Sequence, residues 1–232
     1  MTKTFLAIIP ARGGSKRIPR KNIKKFAGQP IIKYSIDAAI GSGCFDEVMV
    51  STDDQEIAKT AESFGAKVPF FRSKENSNDM AAAAAVLEEV VMEYRKLGQN
   101  FDYICRIYPT AVFVTKERLQ LAKQIMLEKN AEAALSVIRY GHPIQRGMKI
   151  RDGWATMIWP ENYIVRSQDL EPTYYDCAQF YFVKIENVSE QKSFLPKLTI
   201  PIEIPEWEAQ DIDNESDWHM AEIKYKLLKK PL

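Results

Sequence analysis

Thr4-Phe-Leu-Ala-Ile-Ile9, running into Pro10-Ala-Arg-Gly-Gly-Ser-Lys-Arg-Ile-Pro-Arg-Lys-Asn22, is the stretch that decides the fold. Its first part is short, rich in isoleucine and ended by a proline, which reads as a buried β-strand. Its second part is a loop with two adjacent glycines. The backbone N–H groups of Gly13 and Gly14 can approach an anion closely there, while Arg12, Lys16 and Lys21 supply countercharge. A basic glycine loop directly after the first strand is where α/β proteins hold phosphates. The spacing is neither G-x-G-x-x-G nor that of the P-loop, so dinucleotide binding and Walker-type NTPase activity lose support. A flexible basic loop touching nucleic acid is the plainer alternative, and it would need more basic residues beyond this region.

Outward from the loop, strand and helix patterns alternate. Ile31–Ile40 has apolar residues at helical spacing and ends in Gly41 and Gly43. Glu47–Ser51 reads as a second strand and Asp54–Phe64 as a helix closed by Gly65. Lys67–Phe71 is expected as a third strand, Met80–Leu97 as a helix, Tyr103–Tyr108 as a fourth strand, Lys116–Lys129 as a helix and Ala133–Ile138 as a fifth strand. This order predicts an α/β domain with a mainly parallel (Rossmann-like) sheet flanked by helices, its ligand at the carboxyl ends of the strands. The rhythm breaks at Gly141. Residues 141–176 show no helical period but carry Trp154, Trp159, Tyr163, Tyr174 and Tyr175, which reads as a projecting oligomerisation arm, or otherwise as a satellite hairpin cluster. Gln179–Val183, Leu198–Ile204 and the helix Glu215–Leu228 return to the domain. The division is therefore 1–140 with 177–232 as the α/β domain, and 141–176 as the insertion.

The 232 residues suffice for one large domain, and a 46% hydrophobic content rules out a disordered chain. No apolar run is long enough for a membrane span. Three cysteines at no metal-like spacing point to a reducing compartment, so the expectation is a soluble cytoplasmic protein that uses neither membrane nor nucleic acid. The net charge of +1 hides an asymmetry: residues 1–36 hold nine Lys or Arg and no acid, while residues 203–222 hold eight acids and no Lys or Arg. Both blocks abut apolar runs. A basic loop and an acidic stretch brought together by a fold suit a polyphosphate and its metal. In Gln210-Asp-Ile-Asp213, extended backbone would turn both carboxylates to one face, as two hard oxygen ligands for Mg²⁺ require, although D-x-D is also common on solvated loops.

Ile9–Asn22 closely resembles the signature of the cytidylyltransferases that activate nine-carbon acidic sugars, a family that includes the CMP-sialic acid synthetases. Phe45-Asp-Glu-Val-Met-Val-Ser-Thr-Asp-Asp54 looks like their second-strand motif, and the likeness continues to the C-terminal helix. Arg166-Ser-Gln-Asp-Leu-Glu-Pro172, Tyr175-Asp-Cys-Ala-Gln-Phe-Tyr181, Pro143-Ile-Gln-Arg146 and Ile107-Tyr-Pro-Thr110 look most like the branch acting on pseudaminic acid. Sialic acid enzymes usually carry Gln at the place of Tyr108.

The resemblance implies a nucleotide-binding α/β domain with a projecting dimerisation segment, and transfer of CMP from CTP to a nine-carbon acidic sugar by a homodimer using Mg²⁺. It assigns Arg12, Ser15, Lys16 and Lys21, with the backbone of Ala11, Gly13 and Gly14, to the triphosphate. Asn22, Arg72 and Asp79 fall to the nucleotide, Asp211 and Asp213 to the metal, and Arg166, Gln168, Tyr108 and Gln179 to the sugar side. Arg12, Lys21 and Arg166 are the implied catalytic residues, and no general base is assigned. Asp53 and Asp54 could be catalytic, with Asp54 equally the N-cap of the following helix; His142 could be a general base or a structural residue; Arg72 and Arg166 could otherwise be ion-pair partners. One departure stands out: after Asp79 the family usually has Ser or Thr hydroxyls, where this chain reads Met80-Ala-Ala-Ala-Ala-Ala85. A sialic, legionaminic or Kdo transferase would keep the phosphate loop and change the sugar side. A non-catalytic nucleotide-binding module would keep Arg12 and lose the aspartate pair.

Overall fold

The computed structural model describes residues 3–78, 82–190 and 195–229. In chain order the strands are β1 (Phe5–Pro10), β2 (Lys25–Phe26), β3 (Gln29–Pro30), β4 (Glu47–Ser51), β5 (Tyr103–Ile107), β6 (Ala133–Arg139), β7 (Met148–Arg151), β8 (Trp154–Met157), β9 (Tyr174–Lys184) and β10 (Thr199–Glu203). The α-helices are α1 (Ile32–Ser42), α2 (Gln55–Ser63), α3 (Ala83–Lys96), α4 (Lys116–Glu128), α5 (Ile185–Glu190) and α6 (Glu215–Lys229).

Six strands form the central sheet in the order β10-β6-β9-β5-β1-β4. β1 runs parallel to β4 and β5, and β10 parallel to β6. β9 lies antiparallel between β5 and β6. The mainly parallel sheet is thus present with one reversed strand at its centre. Alternation along β1 explains its unbroken apolar sequence. Phe5, Ala7 and Ile9 pack beneath Ile32, Ile36 and Ala39 of α1 and Leu119 and Ala122 of α4. Leu6 and Ile8 face the other way, against Leu87, Val90 and Tyr94 of α3. A strand covered on both faces has no room for polar alternation. A third cluster joins Ile18 of the glycine loop, Phe26, Val112, Phe113, Ile212 and Trp218, and it seats the loop against α6.

Three local readings change. Lys67–Phe71 is not a strand: Lys67 makes a single bridge to Met49 beside β4, and Pro69, lacking an N–H, cannot continue the ladder. α3 starts at Ala83 rather than Met80, which itself lies outside the described residues together with Asp79 and Ala81. β9 begins at Tyr174, so the last three residues of the expected insertion belong to the sheet. The rest of that insertion holds the β7–β8 hairpin and short 3-10 turns, and it leaves Ile150, Trp154, Tyr163 and Ile164 largely exposed. All three cysteines are free and buried. Among the described residues no helix is long and apolar enough to cross a membrane.

The β2–β3 hairpin turns on Ala27 and Gly28, both at positive φ (45° and 89°). This is the two-residue primed turn that Asn-Gly favours, and an alanine there carries a left-handed penalty of about 1–2 kcal/mol. Ala27 is exposed. Ala27→Asn is expected to stabilise the protein by about 0.5–1 kcal/mol, read as a higher urea midpoint with an unchanged slope. A lower midpoint would show that the turn is not strained as its backbone angle implies.

Candidate active site

The glycine loop is held in shape before any ligand arrives. The Gly13 N–H donates to Asp53 Oδ1 at 2.9 Å. A Cβ on Gly13 would come within 2.8 Å of Asp54 Oδ2 and 3.0 Å of Asp54 Cβ, so close packing demands glycine there, whereas Gly14 has open space. The Asn22 amide donates to Arg12 O at 2.9 Å and closes the loop on itself. The Ala11 N–H donates to Ser51 O at 2.9 Å, tying the loop's start to β4. Arg20, at φ 55°, folds back onto Asp54 with two hydrogen bonds of 2.5 and 2.9 Å and onto Glu56 with one of 2.6 Å. Asp54 also caps α2 by accepting from Glu56 N and Ile57 N, both at 3.0 Å. The alternatives left open for Asp54 therefore resolve to a helix cap that also holds the glycine loop.

The acidic stretch meets this loop as its composition implies. Lys21 Nζ donates to Ile212 O at 2.7 Å, the carbonyl between Asp211 and Asp213. Arg17 donates to Asp213 Oδ1 at 2.9 Å, and Lys24 pairs with Glu215 at 2.8 Å. Burial lowers the Lys21 pKa against the pull of both aspartates, and burial plus the neighbouring Asp213 raises that of Asp211. Asp217 plays another part: it accepts from Asp213 N and Asn214 N while Asn214 Oδ1 accepts from Asp217 N, a capping arrangement for α6.

Between these elements lies a cavity of about 430 Å³ lined by Arg12, Ser15, Lys16, Lys21, Tyr108 and Asp213, among others. Asp213 also lines a second cavity of about 500 Å³, shared with Asp176 and Asp211. Among the described residues no three metal-ligating side chains converge. A carboxylate pair beside a cationic cradle nevertheless fits Mg²⁺, which takes one or two carboxylates and completes its shell with phosphate oxygens and water.

The remaining expected residues are distributed unevenly. Arg72 is buried, and its guanidinium donates to Ser51 Oγ at 3.0 Å and Ser51 O at 2.5 Å, so it braces the end of β4 behind the loop. Burial lowers its pKa, against the attraction of Asp53 and Glu89. Tyr108 reaches the cavity, its ring stacked 4.2 Å beneath the Arg106 guanidinium carbon. Gln179 does not reach it: only 2% exposed, its amide donates to Glu208 O at 2.7 Å. Arg166 is exposed on the arm and pairs with Asp169 at 2.7 Å. Gln168 lines a separate hollow of about 360 Å³ against Glu203 and Glu206. His142 is exposed on the arm and lines neither of the two central cavities. Asp79 lies outside the described residues. Sequence reasoning passed over Arg17 and Arg20, because nothing in a run of cations tells which of them the protein's own carboxylates engage, and over Arg106, a lone cation inside an apolar strand.

The Arg20 pair, helped by the α2 amides, holds the Asp54 carboxyl down at about 2 against an ordinary 3.8. A depressed carboxylate contributes stability that is full above its unfolded value and is lost as pH falls toward its folded one. Arg20→Gln is expected to raise the Asp54 pKa toward the ordinary value, read by carbon-detected NMR titration, and to move the onset of acid unfolding to higher pH. An unchanged Asp54 titration would remove Arg20 from the clamp.

Comparison with known proteins agrees with this geometry. Residues 6–183 match the family described as Cytidylyltransferase. The chain is 38% identical to the pseudaminic acid cytidylyltransferase of Campylobacter jejuni over 224 residues, covering 96% of each. It is 31% identical to the CMP-N,N'-diacetyllegionaminic acid synthase of Legionella pneumophila, covering 98% of this chain and 99% of that one. The structure of a CMP:2-keto-3-deoxy-manno-octonic acid synthetase complexed with CTP superposes with a TM-score of 0.69 at 15% identity, covering 98% and 99% of the two chains, which is a likeness of fold. A glycine loop clamped onto an acidic strand end, with these matches along nearly the whole chain, identifies a nucleotidyltransferase enzyme: the chain belongs to the cytidylyltransferase family.

Proposed function

We propose that this enzyme transfers CMP from CTP to a nine-carbon acidic sugar, pseudaminic acid, with release of pyrophosphate. The observation that carries the reading is the Lys21–Ile212 contact, which holds the cationic loop and Asp213 on one cavity, with Asp211 on the cavity that adjoins it. The 38% identity to the Campylobacter jejuni relative supports the choice of sugar.

In this reading the anomeric hydroxyl attacks the α-phosphorus of CTP, a new oxygen–phosphorus bond forms, and the bond to the departing pyrophosphate breaks. Such a reaction needs little from the protein beyond position and charge. Arg12, Ser15, Lys16 and the Gly13 and Gly14 backbone would hold the triphosphate, and Lys21 would lie beside it while fastening the loop. Asn22 keeps the loop closed on the nucleotide, and Arg72 acts through Ser51. Asp211 and Asp213 would hold Mg²⁺, which when bound neutralises charge on phosphate oxygens. Tyr108 is the sugar-side wall at the cavity. Arg166 and Gln168 stand on the arm, away from the cavity within one chain.

The arm fits a homodimer contact. Trp154 is 77% exposed and Ile164 89% exposed, with Ile150 and Tyr163 beside them in sequence. Apolar side chains at this density suit the centre of an interface. Three free, buried cysteines suit a cytoplasmic location.

Pyrophosphate release with CTP, Mg²⁺ and a panel of nine-carbon acids tests the function. The expected result is a kcat/KM for pseudaminic acid at least tenfold above that for N-acetylneuraminic acid, narrowed in Tyr108→Gln. An aromatic wall leaves extra sugar hydroxyls unpaired, at about 1–3 kcal/mol each. Equal use of the two sugars would overturn the substrate assignment. Lys21→Met is expected to lower kcat at least a hundredfold, since it removes a cation and unfastens the loop together; near-normal kcat would make Lys21 a structural tie alone. For the assembly, light scattering should show a dimer at micromolar concentration and a monomer for Trp154→Ser. A monomeric unmutated protein would leave the arm without that role.

A further inference from the structure

We propose that Asp176 is a specificity-determining carboxylate that accepts a hydrogen bond from the sugar acid, from a hydroxyl or an acylamino N–H. The inference rests on the cytidylyltransferase reading above and adds a sugar contact to it. Four observations converge on this residue. β9 is reversed relative to its neighbours, so its first residues stand at the carboxyl ends of β5 and β6: Asp176 pairs with Val137, near the end of β6. That edge is where ligands of such sheets bind. Asp176 lines the 500 Å³ cavity together with Asp211 and Asp213, and through Asp213 that cavity adjoins the triphosphate cradle.

The side chain is also aimed. A register shift interrupts the β6–β9 pairing between Leu135 and Val137, and Ala178 opposite it takes a φ of 54°. Bulges re-aim side chains beside active sites, and a left-handed alanine is strain that surrounding structure must hold in place. Here Ser136 Oγ accepts from Gln179 N and Phe180 N, at 3.3 and 3.2 Å, and so replaces the lost ladder bonds. Asp176 itself accepts from Ala178 N at 2.8 Å and from the Tyr181 hydroxyl. Both are neutral donors. A carboxylate offers about four acceptor positions, so capacity remains for a ligand.

The wider surroundings are those of a recognition surface. The Arg106 guanidinium carbon lies 4.2 Å from the Tyr108 ring and 5.2 Å from the Tyr181 ring, and Asp176 faces its charge. A carboxylate at this edge accepts from the sugar's donors and repels the sugar's own carboxylate. It therefore fixes which way round the acid enters, with its charged end toward the basic loop. Asp176 is exposed to the cavity, and the partial loss of water around its carboxyl raises its pKa.

Asp176→Asn tests the proposal, because the amide keeps an oxygen for Ala178 N and a hydrogen-bond partner for the Tyr181 hydroxyl. The KM for pseudaminic acid is expected to rise at least tenfold, with the KM and calorimetric Kd of CTP unchanged within twofold and the melting temperature within a few degrees. An unchanged sugar KM, or sugar and CTP constants that shift together with a fall in melting temperature, would overturn it. Tyr181→Phe, which keeps the ring and removes the hydroxyl, is a second variant should Asp176→Asn not fold. It is expected to raise the sugar KM in the same direction by a smaller factor, and no change in it would count against the proposal. A nine-carbon acid with hydrogen in place of the acylamino groups separates the donors: the Asp176→Asn penalty persists for a hydroxyl contact and vanishes for an N–H contact. Failure of the unmutated protein to bind CTP or release pyrophosphate with any sugar would overturn the enzyme reading along with this one. Turnover with an indifferent Asp176 would overturn this one alone.

Discussion

One ammonium-to-carbonyl hydrogen bond, Lys21 to Ile212, organises the rest of this molecule. It joins the first turn of the chain to a segment nearly two hundred residues later, across the end of the sheet. Without it, a cationic loop and two aspartates would be separate surface features. With it, Lys21 stands near both aspartates without pairing to either, since it satisfies a neutral carbonyl, while Arg17 makes the direct ion pair from the loop to Asp213. Charges of both signs are thereby prepositioned at one end of the sheet, the arrangement that a polyphosphate and a divalent cation would use.

Several weaker contacts serve the same end. Ile18 and Ile212 bury together beneath Trp218, so the two segments share a hydrophobic anchor as well as a polar one. On the opposite flank, Asp54 is at once the cap of α2, the partner of Arg20 and the wall against Gly13. Substitutions at Gly13, Arg20 and Asp54 will therefore not add, because each changes what the other two rest on.

Much of the fold was legible in the chain because periodicity carries it. β1, β4, β5 and β6 are short apolar runs, and α1, α2, α4 and α6 are amphipathic segments with clear ends. The glycine loop and the Asp211–Asp213 pair were legible from charge segregation, and their meeting is what that segregation predicts. The direction of β9 was not, since a buried strand reads alike whichever way it pairs. Nor was the division of labour among cations. Arg20 and Lys21 are neighbours of like charge, yet a left-handed backbone at Arg20 sends one to Asp54 and the other to Ile212. Gln179 looked like a sugar ligand from its motif, but the bulge beside it turns its amide to the Glu208 carbonyl. Asp176 escaped notice for the same reason: the register shift that exposes it has no signature in local sequence.

Arg139 and Tyr174 are paired residues on adjacent strands, so the whole arm leaves the sheet and returns to it at one rung of the ladder. In polymer terms it is an elongated hairpin loop whose ends are already closed. Closure entropy grows only with the logarithm of loop length, about 0.6 kcal/mol per doubling. An arm of this length therefore costs the domain only about 2 kcal/mol more than a tight turn at the same rung. Length and sequence between those two residues can drift, lengthen or shrink with little thermodynamic penalty to the nucleotide-binding sheet.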